Sequence, residues 1–346
     1  MNVFKNIIPN HPVINLAKRG QFVFYMSFIE KLIYFIIFIL LARKFSIAEY
    51  GSIISIFALG NILVTMFELG LGNYFQRKIA SDKSNLVEEV NSVLAFRFVS
   101  YLIIILSSTL YFPKDFVNLA LVFTIMSAIF IFSTNWILIK IFYGLDGLDK
   151  YRFVFYRFLV SRVVLIIGVM ILIPLNVSLT VIMTAFLITA ILEFSLLFYS
   201  LVRIKLIKFR IELRIEVLRR ILLFSIPMGL SVFFVVVYDR IDIILIQKII
   251  STESVSFYAI AYSLYKIPSI VIPIVLTPLF TDLSSEFKLK KKINFSKLKG
   301  ISLLLFVFAV FSIIIIYIFA DTIIGFTYGL KYLSSTPGDG NLTFAL

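Results

Sequence analysis

Long apolar runs separated by short charged stretches dominate the chain. Runs of about 20 residues recur near 22–42, 52–72, 94–112, 116–138, 158–175, 178–200, 221–247, 255–280 and 301–320. Each is long enough to cross roughly 30 Å of hydrocarbon as an α-helix. The alternating ten-residue segments typical of membrane strands are absent from the sequence. The pattern therefore predicts an all-α, polytopic membrane helix bundle with about nine transmembrane helices.

Composition supports a membrane protein and removes several kinds of chemistry. The chain is 61% hydrophobic and only 15% charged, and its mean hydropathy is +1.04. It has no cysteine, which excludes a disulfide framework, a thiolate nucleophile and a cysteine-based metal site. The single histidine, His11, lies outside the apolar runs. No phosphate-binding loop, dinucleotide turn or catalytic triad is recognisable, so we expect no cofactor and no metal site.

The basic residues lie in alternate connections between the apolar runs. The N-terminal segment and the second-to-third, fourth-to-fifth, sixth-to-seventh and eighth-to-ninth connections, with their edges, hold 25 of the 33 lysines and arginines. Short cytoplasmic loops are enriched in such residues, so we predict a cytoplasmic N-terminus. The clusters would contact anionic membrane lipid at the inner leaflet. The net charge of +14 then needs no nucleic-acid partner.

No predicted loop is long enough to carry a sizeable extramembrane domain. A membrane enzyme of polysaccharide assembly, such as a polymerase, usually needs such a region for its catalytic groups. We therefore expect a protein that is not an enzyme, and we keep the membrane enzyme as an alternative.

The chain also contains a weak internal repeat. Glu30-Lys31 and Asp239-Arg240 are acid-base pairs 209 residues apart, and Tyr50 and Tyr258 are 208 apart. We predict a six-helix half over residues 1–202, a basic linker over 203–220 and a second half over 221–346. Like-oriented halves place the substrate site at their interface. The second half holds three apolar runs where six are expected, which predicts a truncated or frameshifted chain.

Several short motifs, in order and spacing, resemble those of one transporter family. They are Ala42–Gly51 after the first run, Glu68–Gly72 with Arg77–Ala80 after the second, Ser225-Ile226-Pro227 opening the seventh, Tyr238–Asp242 within it, Phe257–Ala259, Pro278 with Ser284-Ser285, and Tyr328–Tyr332. Over roughly residues 15–335 the chain is similar to Wzx-type polysaccharide flippases, which move O-antigen or capsule repeat units. These belong to the MATE-like multidrug/oligosaccharidyl-lipid/polysaccharide superfamily.

The resemblance implies translocation of an undecaprenyl-pyrophosphate-linked oligosaccharide across the bacterial inner membrane by alternating access. Other polysaccharide assembly proteins would then be partners. A multidrug or small-solute antiporter of the same superfamily, coupled to a cation, remains an alternative. Such an antiporter would favour an acidic cavity, whereas an anionic lipid-linked cargo favours a basic one.

A flippase cavity for a pyrophosphate needs cations, and arginine and lysine both suit phosphate oxygens. The deepest basic residues are Lys31, Arg240 and Lys266, and we predict that they bind the cargo. Arg97 and Arg162 follow, near the cytoplasmic mouth. Other interpretations remain open: Lys31 could pair with its neighbouring acid or extend to the interface, and Arg97 and Arg162 could be interfacial anchors.

Acidic residues within the apolar runs are candidates for coupling to H⁺ or Na⁺. Asp239 and Asp242 are three residues apart and share one helix face. Glu30, Glu68 and Glu193 are weaker candidates. In the alternative interpretation, Arg240 and interfacial water neutralise the two aspartates. Three prolines, Pro268, Pro273 and Pro278, predict a kinked eighth apolar helix.

Overall fold

The fold is described from a computed structural model covering residues 12–81, 84–111, 118–145, 148–206, 214–269 and 295–335. These residues form ten α-helices and one 3₁₀ helix. They are α1 (Pro12–Lys44), α2 (Ile47–Glu68), α3 (Leu71–Ser81), α4 (Leu86–Tyr111), α5 (Leu119–Gly144), α6 (Leu148–Leu172), α7 (Leu179–Arg203), α8 (Ile215–Ile249), α9 (Thr252–Ser269), α10 (Phe295–Thr327) and the 3₁₀ helix Leu330–Ser335.

The prediction of an all-α membrane bundle is confirmed. Within the described ranges, eight helical segments are long and apolar enough to cross a membrane, and no strand occurs. The predicted span 255–280 begins in α9, and the remainder of that span lies outside the described residues. Pro273, Pro278, most of the lysine-rich run 288–299 and the C-terminal residues 336–346 lie outside them as well.

Several helices extend well beyond the apolar runs. α8 begins at Ile215, so Pro227 lies inside this helix and does not open it as the motif comparison suggested. Inside a helix a proline removes one backbone hydrogen bond and crowds the carbonyl group one turn earlier, so a local bend is expected at this position. The connection expected after the second run also contains a helix, α3, which carries Gln76, Arg77 and Lys78.

The helix ends define two ends of the bundle. We call the end with the α1–α2, α6–α7 and α8–α9 turns and the last residues of α10 the turn end. The opposite end, with α3 and the first residues of α4, α6 and α8, is the basic end. The predicted orientation places the basic end in the cytoplasm.

The core is built around α5 and α2. In the apolar window of α5, 72% of the residues are buried, the largest such fraction among the eight segments. α5 packs mainly against α7, α3 and α2, while α8 and α9 pack on α2. The helix α2 therefore joins the first seven helices to the rest of the described chain.

Two glycines allow the close contacts of α2 with α8 and α9. A Cβ atom on Gly51 would lie 2.0 Å from the carbonyl oxygen of Thr252 at the turn end. A Cβ atom on Gly229 would lie 2.3 Å from the backbone of Leu69, near the basic end. At both places a side chain would force the helices apart, so these glycines determine how near the helices approach.

The turns before α2 and α9 have similar caps. The hydroxyl of Ser46 accepts a hydrogen bond from the amide of Glu49, and the hydroxyl of Ser251 accepts one from the amide of Ser254. Ser46 and Ser251 are 205 residues apart, close to the repeat found in the sequence. Side-chain caps of this kind satisfy N–H groups that have no partner within the helix. The division into two halves stays a prediction, and these caps agree with it.

Candidate transport site

A buried ionic cluster lies in the middle of the first seven helices. Arg162 of α6 contacts two carboxylates: its Nη2 lies 3.1 Å from Glu30 Oε1 on α1, and its Nη1 lies 3.2 Å from Glu193 Oε2 on α7. The side chains of Arg162 and Glu193 are 4% and 2% exposed, whereas that of Glu30, at the edge of the cluster, is 38% exposed. Ser161 donates a further hydrogen bond to Glu193. We call the three charged residues, Glu30, Arg162 and Glu193, the buried triad.

Aromatic rings surround the guanidinium of Arg162. Its Cζ atom lies 4.6 Å from the ring centre of Phe158 and 4.7 Å from that of Phe132. A cation near ring faces is stabilised by the negative potential of the faces, more so away from water. The rings and the two carboxylates together account for a charge held at this depth.

The buried triad lines a cavity of about 240 Å³ between α1, α5, α6 and α7. Asn135 of α5 lines the same cavity and donates its amide to the carbonyl oxygen of Ala190. The Oδ1 atom of Asn135 is buried and has no hydrogen-bond partner among the described residues. The cavity therefore presents oxygen atoms from two carboxylates and one amide.

The charges of the triad do not balance when both glutamates are ionised. One guanidinium then faces two carboxylates, and the cluster carries one excess negative charge. Such a site favours a proton or a small cation over a second anion. Arg162 is consequently occupied by protein carboxylates and is not a free contact for a pyrophosphate.

A second group of charges lies between α8 and α9. Lys266 Nζ contacts Asp239 Oδ2 at 3.0 Å and lies 4.7 Å from the ring centre of Tyr262. Asp242 accepts hydrogen bonds from the hydroxyl of Tyr258 and from the amide of Ile243. The side chains of Lys266 and Asp239 are 38% and 37% exposed. We call Asp239 and Lys266 the half-exposed pair.

The two acid-base dipeptides of the sequence, Glu30-Lys31 and Asp239-Arg240, make similar contacts. In each, the acid pairs with a basic residue of another helix, Glu30 with Arg162 and Asp239 with Lys266. The neighbouring bases, Lys31 and Arg240, make no ion pair or hydrogen bond with the described residues. A pair between Lys31 and its neighbouring acid, one of the alternatives above, is therefore not formed.

Arg97 is fully buried in α4 and is not an interfacial anchor. Its guanidinium donates to Thr134 Oγ1 at 3.2 Å and to the carbonyl oxygen of Phe130 at 3.3 Å. Its Cζ atom lies 4.0 Å from the ring centre of Phe130. Glu68, at the end of α2, interacts electrostatically with Arg97 and with Lys140. This arrangement ties α2, α4 and α5 together.

The structure groups the charged residues differently from the sequence analysis, and their roles stay predictions. It grouped Lys31, Arg240 and Lys266 into one cavity, whereas the structure pairs Lys266 with Asp239 and joins Arg162 to Glu30. Glu193 was a weaker candidate, yet it is the most buried carboxylate of the triad. Ser161 and Asn135 were missed. Their only signal was a polar residue within an apolar helix, which many membrane helices share.

Comparison with known proteins identifies the family. The family model described as "Polysaccharide biosynthesis protein" matches residues 16–284, which is most of the chain. The chain belongs to the polysaccharide biosynthesis protein family. This is the family of the Wzx-type flippases that the motifs resemble. No curated protein and no solved structure matches the chain significantly.

Membership in the polysaccharide biosynthesis protein family, together with the helix bundle, indicates a transporter-type, multi-pass membrane protein. Among the described residues no group of three or more metal-ligating side chains could hold a metal ion.

Proposed function

We propose that this protein is a flippase that moves undecaprenyl-pyrophosphate-linked oligosaccharide repeat units across the bacterial inner membrane by alternating access. The match to the polysaccharide biosynthesis protein family over residues 16–284 carries the proposal. The products would serve O-antigen or capsular polysaccharide. The N-terminus and the basic end face the cytoplasm, where the cargo is made.

Lys31 and Arg240 are the cargo contacts in this proposal. Both lie within membrane-spanning helices, and neither is neutralised by a described side chain. Charge within the hydrocarbon region is costly and marks a functional position by default. A guanidinium and an ammonium together offer donors for both phosphates of a pyrophosphate.

The buried triad serves as the coupling site. Its excess acidic charge and the unpartnered Oδ1 of Asn135 favour an exchangeable proton or Na⁺. Asp239 and Asp242, predicted for the same role, each have a partner on α9 and are weaker choices. A cation-coupled antiporter of small solutes is the second candidate, because an acidic cavity would suit its cargo too.

The test is transport by the full chain in liposomes. A labelled undecaprenyl-pyrophosphate oligosaccharide is placed in both leaflets, and a glycosidase in the outer solution reports the fraction that crosses. We expect Lys31→Gln and Arg240→Gln each to lower the rate about tenfold, the loss of one charge-assisted contact. The matched control is Lys248→Gln, which removes the same charge from the exposed end of α8.

Two outcomes would overturn the proposal. No crossing of the lipid-linked cargo by the unmodified chain, with gradient-driven export of a cationic dye, would favour the antiporter. Equal rates in Arg240→Gln and Lys248→Gln would remove Arg240 from the cargo path.

A further inference from the structure

The C-terminal ends of α1 and α10 meet at the turn end. The last carbonyl groups of any α-helix have no partner within the helix and need donors from elsewhere. α1 ends at Lys44 and α10 ends at Thr327. These two helices belong to different predicted halves. If each helix end receives its hydrogen-bond donors from the other half, the two halves are joined at this point.

Each helix end receives its donors from the other half. Arg43 Nε donates to the carbonyl oxygen of Thr327 at 2.6 Å, and Arg43 Nη2 donates to that of Phe326. In return, Lys331 Nζ donates to the carbonyl oxygens of Arg43 and Phe45, and the hydroxyl of Tyr332 donates to that of Ala42 at 3.2 Å. We call this arrangement the reciprocal cap.

A positive charge is favourable at a helix C-terminus, where the backbone dipoles carry partial negative charge. The reciprocal cap places two such charges, Arg43 and Lys331, at two C-termini. Partial burial lowers the pKa of Lys331, and the nearby Glu49 opposes that shift. The ammonium is thus partly withdrawn from water where it meets the carbonyl groups.

The reciprocal cap adjoins a layer of packed aromatic rings. Tyr332 is fully buried, with ring centres 6.1 Å from Tyr50 and 6.0 Å from Phe257. Below it, the hydroxyls of Tyr328 and Ser263 are 3.0 Å apart. In this conformation Tyr332 of the cap is packed against both rings, so release of the cap would also separate this layer.

The basic end is joined in a different way. Two side-chain ion pairs connect α4 to α8 and the residue before it, Glu88 with Arg214 and Glu89 with Arg220. The turn end instead uses backbone carbonyl groups, which can accept water as soon as the side chains leave. The contacts of the cap can therefore be exchanged for solvent without stranding a buried charge.

We propose that the reciprocal cap is the gate at the turn end, closed in this conformation and released when cargo leaves on that side. This rests on the alternating access of the proposed function. Its test needs no cargo, so a wrong cargo and a wrong gate give different results.

Accessibility of a single cysteine tests the gate, because the chain has none of its own. Ser263→Cys places a thiol beneath the cap, and a membrane-impermeant maleimide is added on the turn-end side of vesicles that hold the full chain. Each of these side chains donates two hydrogen bonds in the cap, so we expect Arg43→Ala and Lys331→Ala each to raise its labelling rate by at least about tenfold, the lower end for losing one charged hydrogen bond. Tyr332→Phe, which removes only a hydroxyl, should raise it less.

Lys44→Ala is the matched control. Lys44 adjoins Arg43 but contacts Asn176 in the α6–α7 turn, within the first half. Its removal should leave the labelling of the Ser263→Cys reporter unchanged.

General loosening of the fold is separated from gating by a second reporter. Ser92 is fully buried toward the basic end, and Ser92→Cys places a thiol there. Gate opening raises labelling beneath the cap alone. Equal increases at both reporters, or labelling in Arg43→Ala no faster than in Lys44→Ala, would overturn the proposal.

Discussion

The buried triad and the half-exposed pair apply one arrangement in two surroundings. In both, an acid of an acid-base dipeptide, Glu30 or Asp239, pairs with a base from another helix. The triad adds a second carboxylate, and its Arg162 and Glu193 side chains are 4% and 2% exposed, while that of Glu30 is 38% exposed. The pair has one carboxylate and side chains more than a third exposed. The two groups therefore differ in the burial of Arg162 and Glu193 and in the extra carboxylate, and not in the exposure of the dipeptide acid.

This difference indicates separate tasks. A buried charge is costly without a partner, so Arg162 and Glu193 are sensitive to any change in the protonation of the triad. A pair at the surface of the bundle, such as Asp239 with Lys266, is held less firmly, and exposed pairs contribute little to stability. Sensitivity to protonation suits the coupling site proposed for the triad. A contact that moving cargo must pass tolerates weakly held partners, as in the half-exposed pair.

The largest expected effect comes from removing the base of the triad. Arg162→Ala leaves Glu30 and Glu193 without their shared cation, and breaking a buried ion pair in this way costs about 3–5 kcal/mol. We expect a matching loss in the free energy of unfolding of the detergent-solubilised protein. Denaturant unfolding of the variant beside the parent measures it.

A neutral replacement of the whole triad is the control. Arg162→Met combined with Glu30→Gln and Glu193→Gln leaves no buried charge, and such exchanges are often close to neutral. The triple variant should recover most of the lost stability. If it is as unstable as Arg162→Ala, packing of the arginine and not its charge holds these helices.

The second prediction asks whether the buried triad or the charges between α8 and α9 couple transport to an ion gradient. Glu193→Gln removes the excess negative charge of the triad and should abolish the stimulation of transport by a proton or sodium gradient. Its cost in the free energy of unfolding should be about 1–3 kcal/mol, because Ser161 and Arg162 then donate to a neutral amide and no longer to a carboxylate. The measurement is the transport rate in liposomes with and without each gradient.

Asp242→Asn is the matched variant among the charges between α8 and α9. It also exchanges an intramembrane carboxylate for an amide, and its amide oxygen can still accept from Tyr258. Gradient stimulation should persist in this variant. If Asp242→Asn abolishes stimulation and Glu193→Gln leaves it intact, the coupling site lies between α8 and α9.

The sequence predicted the class of fold because a long apolar run has few alternatives in a bilayer. It could not predict that Glu30 would meet Arg162, since residues 132 positions apart come together only through the packing of α1 against α6. The dipeptides suggested pairing within Glu30-Lys31, yet neighbours on a helix point in different directions. Asn135 carried no signal beyond being polar.

The same limit explains the reciprocal cap. The turn after the first run was recognised as a motif, but the role of Arg43 depends on carbonyl groups more than 280 residues away. Backbone acceptors leave no trace in the sequence, because every residue has one. Contacts of this kind are found only from coordinates.

The smallest expected effect concerns the half-exposed pair. Lys266→Ala removes an ion pair whose side chains are more than a third exposed, and exposed pairs contribute about 0–1 kcal/mol. We expect a loss below about 1 kcal/mol that shrinks further in high salt, because ions screen exposed charges. Unfolding of Lys266→Ala and the parent at low and high salt measures both. A loss as large as that of Arg162→Ala, unchanged by salt, would mean that the two groups do not differ in burial in the folded, detergent-solubilised protein.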